Sequence, residues 1–289
     1  MNNSQNKSSQ QSSPHPPLGD RSDNRGCVVH CPATIANLVC GFDILGLALE
    51  APYDIMEVSF KDEPGITLSS SAAYNLPTIP EDNVAGASLL ALMEAYEKPV
   101  GFHVHIDKQI KPGSGLGSSA ASSAGAVVAA NHLLGNIFSN EDLVRFAMNG
   151  EKVASGVKHA DNITPCIYGG VTLIRSIFPL DIVTLDAPPL FVTVVHPQIE
   201  VKTSDARQIL RKEVLLKDAI KQWGNIAGLV AGFMKHDYQL IGRSLEDVII
   251  EPVRSILIPG FDAVKNSCKE AGALGGGIPG GLGALGGGI

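Results

Sequence analysis

The residues best suited to chemistry form a glycine-rich stretch at positions 111–119, with the sequence Lys-Pro-Gly-Ser-Gly-Leu-Gly-Ser-Ser. Its three glycines carry no Cβ, so the backbone can turn tightly and approach a ligand closely. A run of small and apolar residues follows at once, as expected for a buried helix. The free N–H groups at the start of a helix attract anions, most often phosphate. The stretch therefore predicts a phosphate-binding loop that leads into a helix.

The spacing of this loop excludes two common phosphate-binding motifs. A Walker A loop would end in Gly-Lys-Ser/Thr, whereas Ser118 and Ser119 occupy its end, and the glycine spacing differs from the dinucleotide fingerprint. A strand is expected just upstream, because residues 103–107 alternate between apolar and polar types. From residue types alone, a tightly packed helix entered through a flexible loop is the alternative interpretation.

A second polar pair lies in the apolar, glycine-punctuated stretch 31–46. Asn37 or Asp43 alone could be a turn cap, but together with Gly41 and Gly46 they are typical of side chains presented to a ligand from a tight loop. Asp43 would suit an ammonium group, and Asn37 can both donate and accept hydrogen bonds.

Further polar residues follow the predicted loop and helix. Taken singly, Glu151 would be a solvated carboxylate, His159 a buried histidine and Asn162 a turn residue. Arg207 and Arg254 would be solvated, as most arginines are. Arg254, however, lies in an apolar segment, where a surface charge is poorly explained.

The composition restricts the class of protein. The chain has 289 residues, enough for one large domain or two modest ones, with 44% hydrophobic residues, a net charge of −7 and a mean hydropathy of +0.14. The acidic balance argues against nucleic-acid binding, and no apolar run is long enough to cross a membrane or to form a secretory signal. The five cysteines form no CxxC pair, which favours reduced thiols. We therefore expect a cytoplasmic protein.

The pattern of elements predicts an α+β architecture, because strands and helices mix without strict alternation. Asp82 or Asn83 is the expected N-cap of the first helix, and Asn140 that of a later one. The expected strands lie at 27–31, 54–60, 103–107, 168–175 and 190–196. The expected helices lie at 84–96, 118–134, 140–154, 203–210, 214–235, 238–244 and 261–271.

Three motifs together resemble a known family. The order Pro-x-Gly-x-Gly-Leu-Gly-Ser-Ser-Ala at 112–120 resembles the nucleotide loop of the GHMP small-molecule kinases, and the blocks at 31–46 and 151–165 resemble those of the homoserine kinases in that superfamily. The resemblance extends over residues 27 to about 278. It implies ATP-dependent phosphorylation of L-homoserine to O-phospho-L-homoserine in threonine biosynthesis, with Mg²⁺.

The resemblance also implies a GHMP kinase fold with two domains. An N-terminal α/β domain that binds ATP is expected at 26–180 and a ferredoxin-like C-terminal domain at 190–278. Residues 1–25 are expected to be a disordered tail. Residues 279–289 depart from the family, because they form an anomalous glycine-rich tail that repeats the Gly-Ala-Leu-Gly-Gly-Gly-Ile of 272–278.

Roles for single residues follow from the same resemblance. Ser119 and Glu151 would hold Mg²⁺, and with Asn162 they form the catalytic set. Asn162 stands where related mevalonate kinases and galactokinases have an Asp that can act as a base, so the alcohol would be activated by position and by charge stabilisation. The expected substrate contacts are Asn37, Asp43, His159, Asn162, Arg207 and Arg254. The expected nucleotide contacts are Asn83, Lys108, Pro112, Gly113, Ser114, Gly115, Leu116, Gly117, Ser118 and Ser119.

Two rival interpretations are considered. Another GHMP kinase, acting on mevalonate or a sugar, is disfavoured by Asn162 and by the two arginines. A catalytically impaired GHMP protein that only binds a ligand is disfavoured by the presence of Glu151 and Ser119, although the unusual tail at 279–289 leaves it open. The oligomeric state is also open, with a homodimer as one alternative.

Overall fold

A mixed six-stranded sheet is the framework of the structure, a computed structural model that describes residues 26–71, 74–196 and 207–278. The strands are β1 Gly26–Ala36, β2 Leu45–Phe60, β3 Gly65–Ser70, β4 Gly101–Asp107, β5 Val171–Ile177 and β6 Leu180–Leu185. Five of them follow the order β3-β4-β2-β5-β6, and β1 pairs with β2. Only β3 and β4 run parallel to each other; the remaining pairs are antiparallel.

The long strand β2 organises the sheet, because each of its ends has partners on both sides. Residues 45–47 pair with β5 and residues 55–60 with β4, while β1 runs antiparallel to β2 at both ends. The β1–β2 register shifts between Pro32 and Thr34. At this bulge the Thr34 N–H donates to the Leu116 carbonyl, 3.1 Å away, so the sheet is joined to the glycine-rich loop.

Four α-helices lie between β3 and β5 along the chain: α1 Val84–Tyr96, α2 Ser118–Leu133, α3 Asn140–Ser155 and α4 Ile163–Tyr168. Helix α2 is buried along most of its length, and only small side chains allow its neighbours to approach so closely. A Cβ on Gly125 would lie 2.0 Å from Cys31 Sγ, and a Cβ on Gly150 of α3 would lie 2.3 Å from Ser123 Oγ. The small residues of α2 therefore set the distance between helix and sheet.

The described residues 207–278 are helical and pack against the other edge of the sheet. The helices are α5 Leu216–Lys235, α6 Tyr238–Ser244, α7 Glu251–Arg254 and α8 Phe261–Glu270. Leu229 and Phe233 of α5 share an apolar cluster with Leu45 and Val171 of the sheet. No strand of a ferredoxin-like sheet lies within 207–278. In the described ranges, no helix combines the length and the apolar character needed to cross a membrane.

Most of the predicted elements exist, with shifted ends. The strand expected at 27–31 is the first half of the longer strand β1, and the strand expected at 54–60 is the C-terminal part of β2. The helix expected at 84–96 has those ends in the structure. The strand predicted at 190–196 is wrong: these residues have no ladder partner among the described residues, and a strand needs one. The strands β3 and β6 and the short helix α4 were missed.

One predicted helix cap is wrong by one residue. Ser139, not Asn140, is the N-cap of α3, because its hydroxyl accepts from the Asp142 N–H while the Asp142 carboxylate accepts from the Ser139 N–H. This reciprocal capping box stabilises Ser139 outside the helix. Asn83 is the N-cap of α1, one of the two residues expected there.

Several predictions lie outside the described residues or are not tested by them. The tails at 1–25 and 279–289 lie outside, and so do residues 203–206 of the helix predicted at 203–210. In the described half of that helix, residues 207 and 208 are helical. The two domain ranges, 26–180 and 190–278, stay predictions.

Candidate active site

The glycine-rich loop has the shape that its sequence predicts. Gly113, Gly115 and Gly117 all have positive φ angles, of 75°, 78° and 65°, which residues with a Cβ rarely adopt. Gly117 is the N-cap of α2. The helical ladder begins with the bond from the Ala121 N–H to the Gly117 carbonyl, so the N–H groups of the preceding three residues are not used by the helix. They form a ready anion site at the loop.

A buried ion pair fixes this loop to the sheet. Lys108 Nζ, just beyond β4, donates to an Asp54 carboxylate oxygen, to the Ser118 carbonyl and to Ser122 Oγ. The other Asp54 oxygen accepts from the N–H groups of the two residues after Lys108, both at 2.8 Å. Burial lowers the pKa of Lys108, against the effect of Asp54. The first turn of α2 is therefore held at the end of β4.

Two of the residues predicted to contact the nucleotide are held by protein partners. Lys108 uses its ammonium donors within the ion-pair network. Asn83 Oδ1 accepts from the Ala85 and Gly86 N–H groups, and its Nδ2 donates to the Pro77 carbonyl at 2.7 Å. Both side chains therefore support the fold, and their contact with a nucleotide stays a prediction.

The predicted metal residues Ser119 and Glu151 lie side by side. Glu151 is in the last turn of α3, where the close approach of α3 to α2 at Gly150 brings it to the first turn of α2. Burial raises the pKa of Glu151, whereas a hydrogen bond with Ser119 and the charge of Lys108 lower it. The described residues contain no cluster of three or more His, Cys, Asp or Glu side chains able to bind a metal. One buried carboxylate beside one hydroxyl fits Mg²⁺, which takes its other ligands from phosphate and water.

The loop after β1 is held in an unusual backbone conformation. Asn37, Leu38, Val39 and Asp43 all have positive φ angles although none is glycine. The Asn37 side chain stabilises the loop, because its Oδ1 accepts from the Asp43 N–H at 3.0 Å. Such conformations cost free energy and cluster at functional sites. The loop presents the Asp43 carboxylate toward the C-terminal part of the chain.

Three of the predicted substrate residues meet at this carboxylate. Arg207 Nη2 donates to Asp43 Oδ1 at 2.6 Å, and His159 Nδ1 lies 3.8 Å from the same oxygen. The Arg207 guanidinium also lies over the Phe42 ring, 5.2 Å from its centre. Burial and the nearby Arg207 lower the pKa of His159, against the effect of Asp43, so the imidazole is neutral at pH 7.

Arg254, on the short helix α7, completes a pair of guanidinium groups. It is 3% exposed, and its buried Nε has no hydrogen-bond partner among the described residues. Burial lowers the pKa of Arg254, and the charge of Arg207 lowers it further, whereas Asp43 and Asp247 raise it. Arg207 Nε is also buried without a partner. Two neighbouring cations with unused N–H groups indicate a binding site for an anion.

Asn162 lies between the phosphate loop and the Asp43 cluster. Its Oδ1 accepts from Thr34 Oγ1 at 2.8 Å, and its backbone N–H donates to Asp161 Oδ1 at 3.2 Å. Asp161 is buried, and burial together with the charges of Asp43 and Glu151 raises its pKa to about 7. Because the charges of Asp43 and Glu151 both affect the pKa of Asp161, the predicted substrate residues and the predicted metal residues border the same space.

The structure adds three residues that sequence analysis did not single out: Thr34, Asp54 and Asp161. Thr34 and Asp161 stand inside the motif blocks, which was a usable signal. Asp54 is an acid at a position of β2 that the strand pattern predicts to be buried, and a buried acid requires a partner.

Comparison with known proteins agrees with these motifs. Residues 83–170 match the family described as GHMP kinases N terminal domain, and residues 229–287 match GHMP kinases C terminal. The chain is 46% identical over 262 residues to a homoserine kinase of Chloroherpeton thalassium, covering 86% of this chain and 82% of that protein. It is 44% identical over 242 residues to a homoserine kinase of Methanococcus maripaludis, covering 83% and 80%.

Solved structures give the same result. The crystal structure of homoserine kinase from Cytophaga hutchinsonii superimposes with a TM-score of 0.86 at 45% identity, covering 93% of this chain and 87% of that one. The L. major mevalonate kinase in complex with R-mevalonate superimposes with a TM-score of 0.67 at 15% identity, covering 89% and 85%, which shows a common fold alone.

The pKa of Asp161 leads to a prediction for stability. In the folded protein this pKa is about 7, above the ordinary value of 3.8, so ionisation of the carboxyl opposes folding. Asp161→Asn should therefore be more stable than the parent, by a difference that grows from about pH 4 to pH 7 with a slope of up to roughly 1.4 kcal/mol per pH unit. Urea unfolding of both proteins at several pH values measures it, with Asp62→Asn as an exposed control. A difference that does not change with pH would contradict the assignment.

Proposed function

Since the chain is a member of the homoserine kinase family of GHMP kinases, we propose that it transfers the γ-phosphoryl group of ATP to the hydroxyl of L-homoserine. The products are O-phospho-L-homoserine and ADP, and the proposed role of the reaction is in threonine biosynthesis. The observation that supports this best is the arrangement of Asp43, Arg207 and Arg254 beside the phosphate loop. A carboxylate next to two guanidinium groups matches an amino acid, which carries one charge of each sign.

The amino-acid group can bind by exchange of charges. Asp43 pairs with Arg207, and the buried Nε of Arg254 has no hydrogen-bond partner among the described residues. The substrate ammonium can take the place of Arg207 on the Asp43 carboxylate, while the substrate carboxylate binds Arg207 and Arg254. Each charge that loses a partner gains another, so the exchange leaves no buried charge unpaired. Mevalonate and sugars lack the ammonium that this exchange requires.

The phosphate groups of ATP would bind at the first turn of α2, where Gly113, Gly115 and Gly117 let the backbone approach them. We assign Ser119 and Glu151 to Mg²⁺, which when bound neutralises charge on the phosphates. Burial favours this, because a desolvated Glu151 carboxylate gains more from a nearby cation than an exposed one would.

The acceptor hydroxyl would lie near Asn162, between the two binding regions. An amide cannot take up the hydroxyl proton, so Asn162 acts by position and not as a base. The hydroxyl oxygen attacks the γ-phosphorus, the bond to the bridging β–γ oxygen breaks, and the proton passes to a γ-phosphoryl oxygen. Catalysis then rests on alignment and on charge stabilisation.

Substrate choice is the first test. The protein should phosphorylate L-homoserine in a coupled ADP assay and should leave mevalonate and galactose unphosphorylated. Product identity is checked by phosphorus NMR. Mevalonate turnover without homoserine turnover would contradict the proposed function.

Arg254→Leu should impair the use of homoserine and leave nucleotide binding nearly unchanged. A hydrogen bond to a charged group contributes about 1.5–3 kcal/mol, so kcat/KM should fall by roughly tenfold or more. Homoserine methyl ester, which lacks the carboxylate charge, should lose much less. Arg175→Leu, at an exposed arginine of β5, is the control. Equal losses for both substrates would show that Arg254 does not recognise the carboxylate.

Glu151→Gln should weaken Mg²⁺-dependent transfer far more than homoserine binding, because it removes the carboxylate and keeps its shape. We expect kcat to fall by roughly tenfold or more and the Mg²⁺ requirement to rise. Steady-state rates across a Mg²⁺ series and calorimetric titration of homoserine separate the two effects. Glu94→Gln, on the exposed side of α1, is the control. Parental activity at limiting Mg²⁺ would rule out Glu151 as the metal ligand.

A further inference from the structure

Thr34 connects strand β1 to the phosphate loop and to Asn162, although none of the roles described above requires it. It is fully buried, at the bulge in β1. Its N–H donates to the Leu116 carbonyl of the phosphate loop at 3.1 Å, and its hydroxyl bonds to Asn162 Oδ1 at 2.8 Å. The same residue therefore contacts the loop for the phosphate donor and the side chain assigned to the acceptor hydroxyl.

The direction of the side-chain hydrogen bond follows from the neighbours of the hydroxyl. The Cys166 thiol, whose pKa burial raises well above its ordinary value, also contacts Thr34. A protonated thiol is a weak acceptor, whereas an amide carbonyl oxygen is a good one. The Thr34 hydroxyl therefore donates to Asn162 Oδ1. The Asn162 Nδ2 group then lies on the far side of the amide, and no hydrogen bond to it occurs among the described residues.

The last glycine of the phosphate loop packs closely against this hydrogen bond. A Cβ on Gly117, the last glycine of the loop, would lie 1.9 Å from Thr34 Oγ1 and 3.0 Å from Asn162 Oδ1. The N-cap residue of α2 is thus in contact with both partners. A shift of the Thr34 hydroxyl would displace either the loop or the Asn162 amide.

We propose that Thr34 is a positioning residue for phosphoryl transfer: it fixes the Asn162 amide with its NH₂ group toward the acceptor hydroxyl, in register with the phosphate loop. The amide then donates to the hydroxyl oxygen, which leaves the hydroxyl proton directed away from Asn162. This inference rests on the proposed function for its kinetic readout, but the orientation of the amide can be measured without turnover.

Two substitutions separate the hydrogen bond from the packing. Thr34→Val keeps the shape and loses the donor, whereas Thr34→Ser keeps the donor. We expect Thr34→Val to lower kcat by roughly tenfold, with KM for ATP and for homoserine changed less than about twofold, because a misaligned group costs rate more than binding. Thr34→Ser should retain most of the activity. If Thr34→Val lowers the thermal stability but leaves kcat unchanged, with kcat calculated per protein molecule able to bind nucleotide, the role of Thr34 is structural only and the proposal is overturned.

A double-mutant cycle tests whether Thr34 acts through Asn162. In an Asn162→Ala background, Thr34→Val should have little further effect on kcat, because the amide that it positions is gone. An equal loss in both backgrounds would overturn the proposal. If the parent protein does not phosphorylate homoserine, the proposed function fails, and the next measurement still decides the role of Thr34.

The independent readout is the side-chain amide resonance of Asn162 in ¹⁵N-labelled full-length protein, assigned by its loss in Asn162→Ala. Thr34→Val should shift this resonance or broaden it, and Thr34→Ser should leave it near its parental position. An unchanged resonance in Thr34→Val would show that the hydroxyl does not orient the amide.

Discussion

The buried ion pair between Lys108 and Asp54 is the interaction on which the site depends. It joins the end of β4, the middle of β2 and the first turn of α2. Two charges removed from water are stable only when their remaining hydrogen-bonding capacity is satisfied, and here backbone groups satisfy it. Loss of either partner would leave a charge buried beside the helix N-terminus that is assigned to phosphate. The geometry of the anion site is therefore inseparable from the packing of the core.

A second level of organisation is the separation of charge across the site. The Asp43, Arg207 and Arg254 cluster lies on one side, and Ser119 with Glu151 lies on the other. Asp161 is affected by both, since the charges of Asp43 and of Glu151 each raise its pKa. The sites proposed for the zwitterion and for the magnesium–phosphate group would thus lie next to each other. This compactness suits a reaction that depends on alignment, because the acceptor and the donor must approach closely.

Local signals were sufficient for much of the fold and for the motif residues. The bounds of α1 follow from its cap at Asn83, and the loop at 111–119 has the positive φ angles that its glycines suggest. The predicted GHMP kinase fold is confirmed by the family matches and the structural comparison. Prediction failed where pairing between strands decides whether a strand forms. Residues 190–196 have the composition of a strand but no partner strand among the described residues, whereas β3 and β6 exist because they pair with neighbouring strands.

The sequence by itself determined the glycine-rich loop, the tight loop that carries Asn37 and the family, because each depends on residue types at short, fixed spacing. Only the tertiary structure decided that Thr34 bonds to Asn162, 128 positions away, that Asp54 neutralises Lys108, and that Asp161 titrates near pH 7. Hydrogen bonds and desolvation depend on distances and burial in space. These quantities are set by how the sheet and α2 pack together, which no local pattern contains.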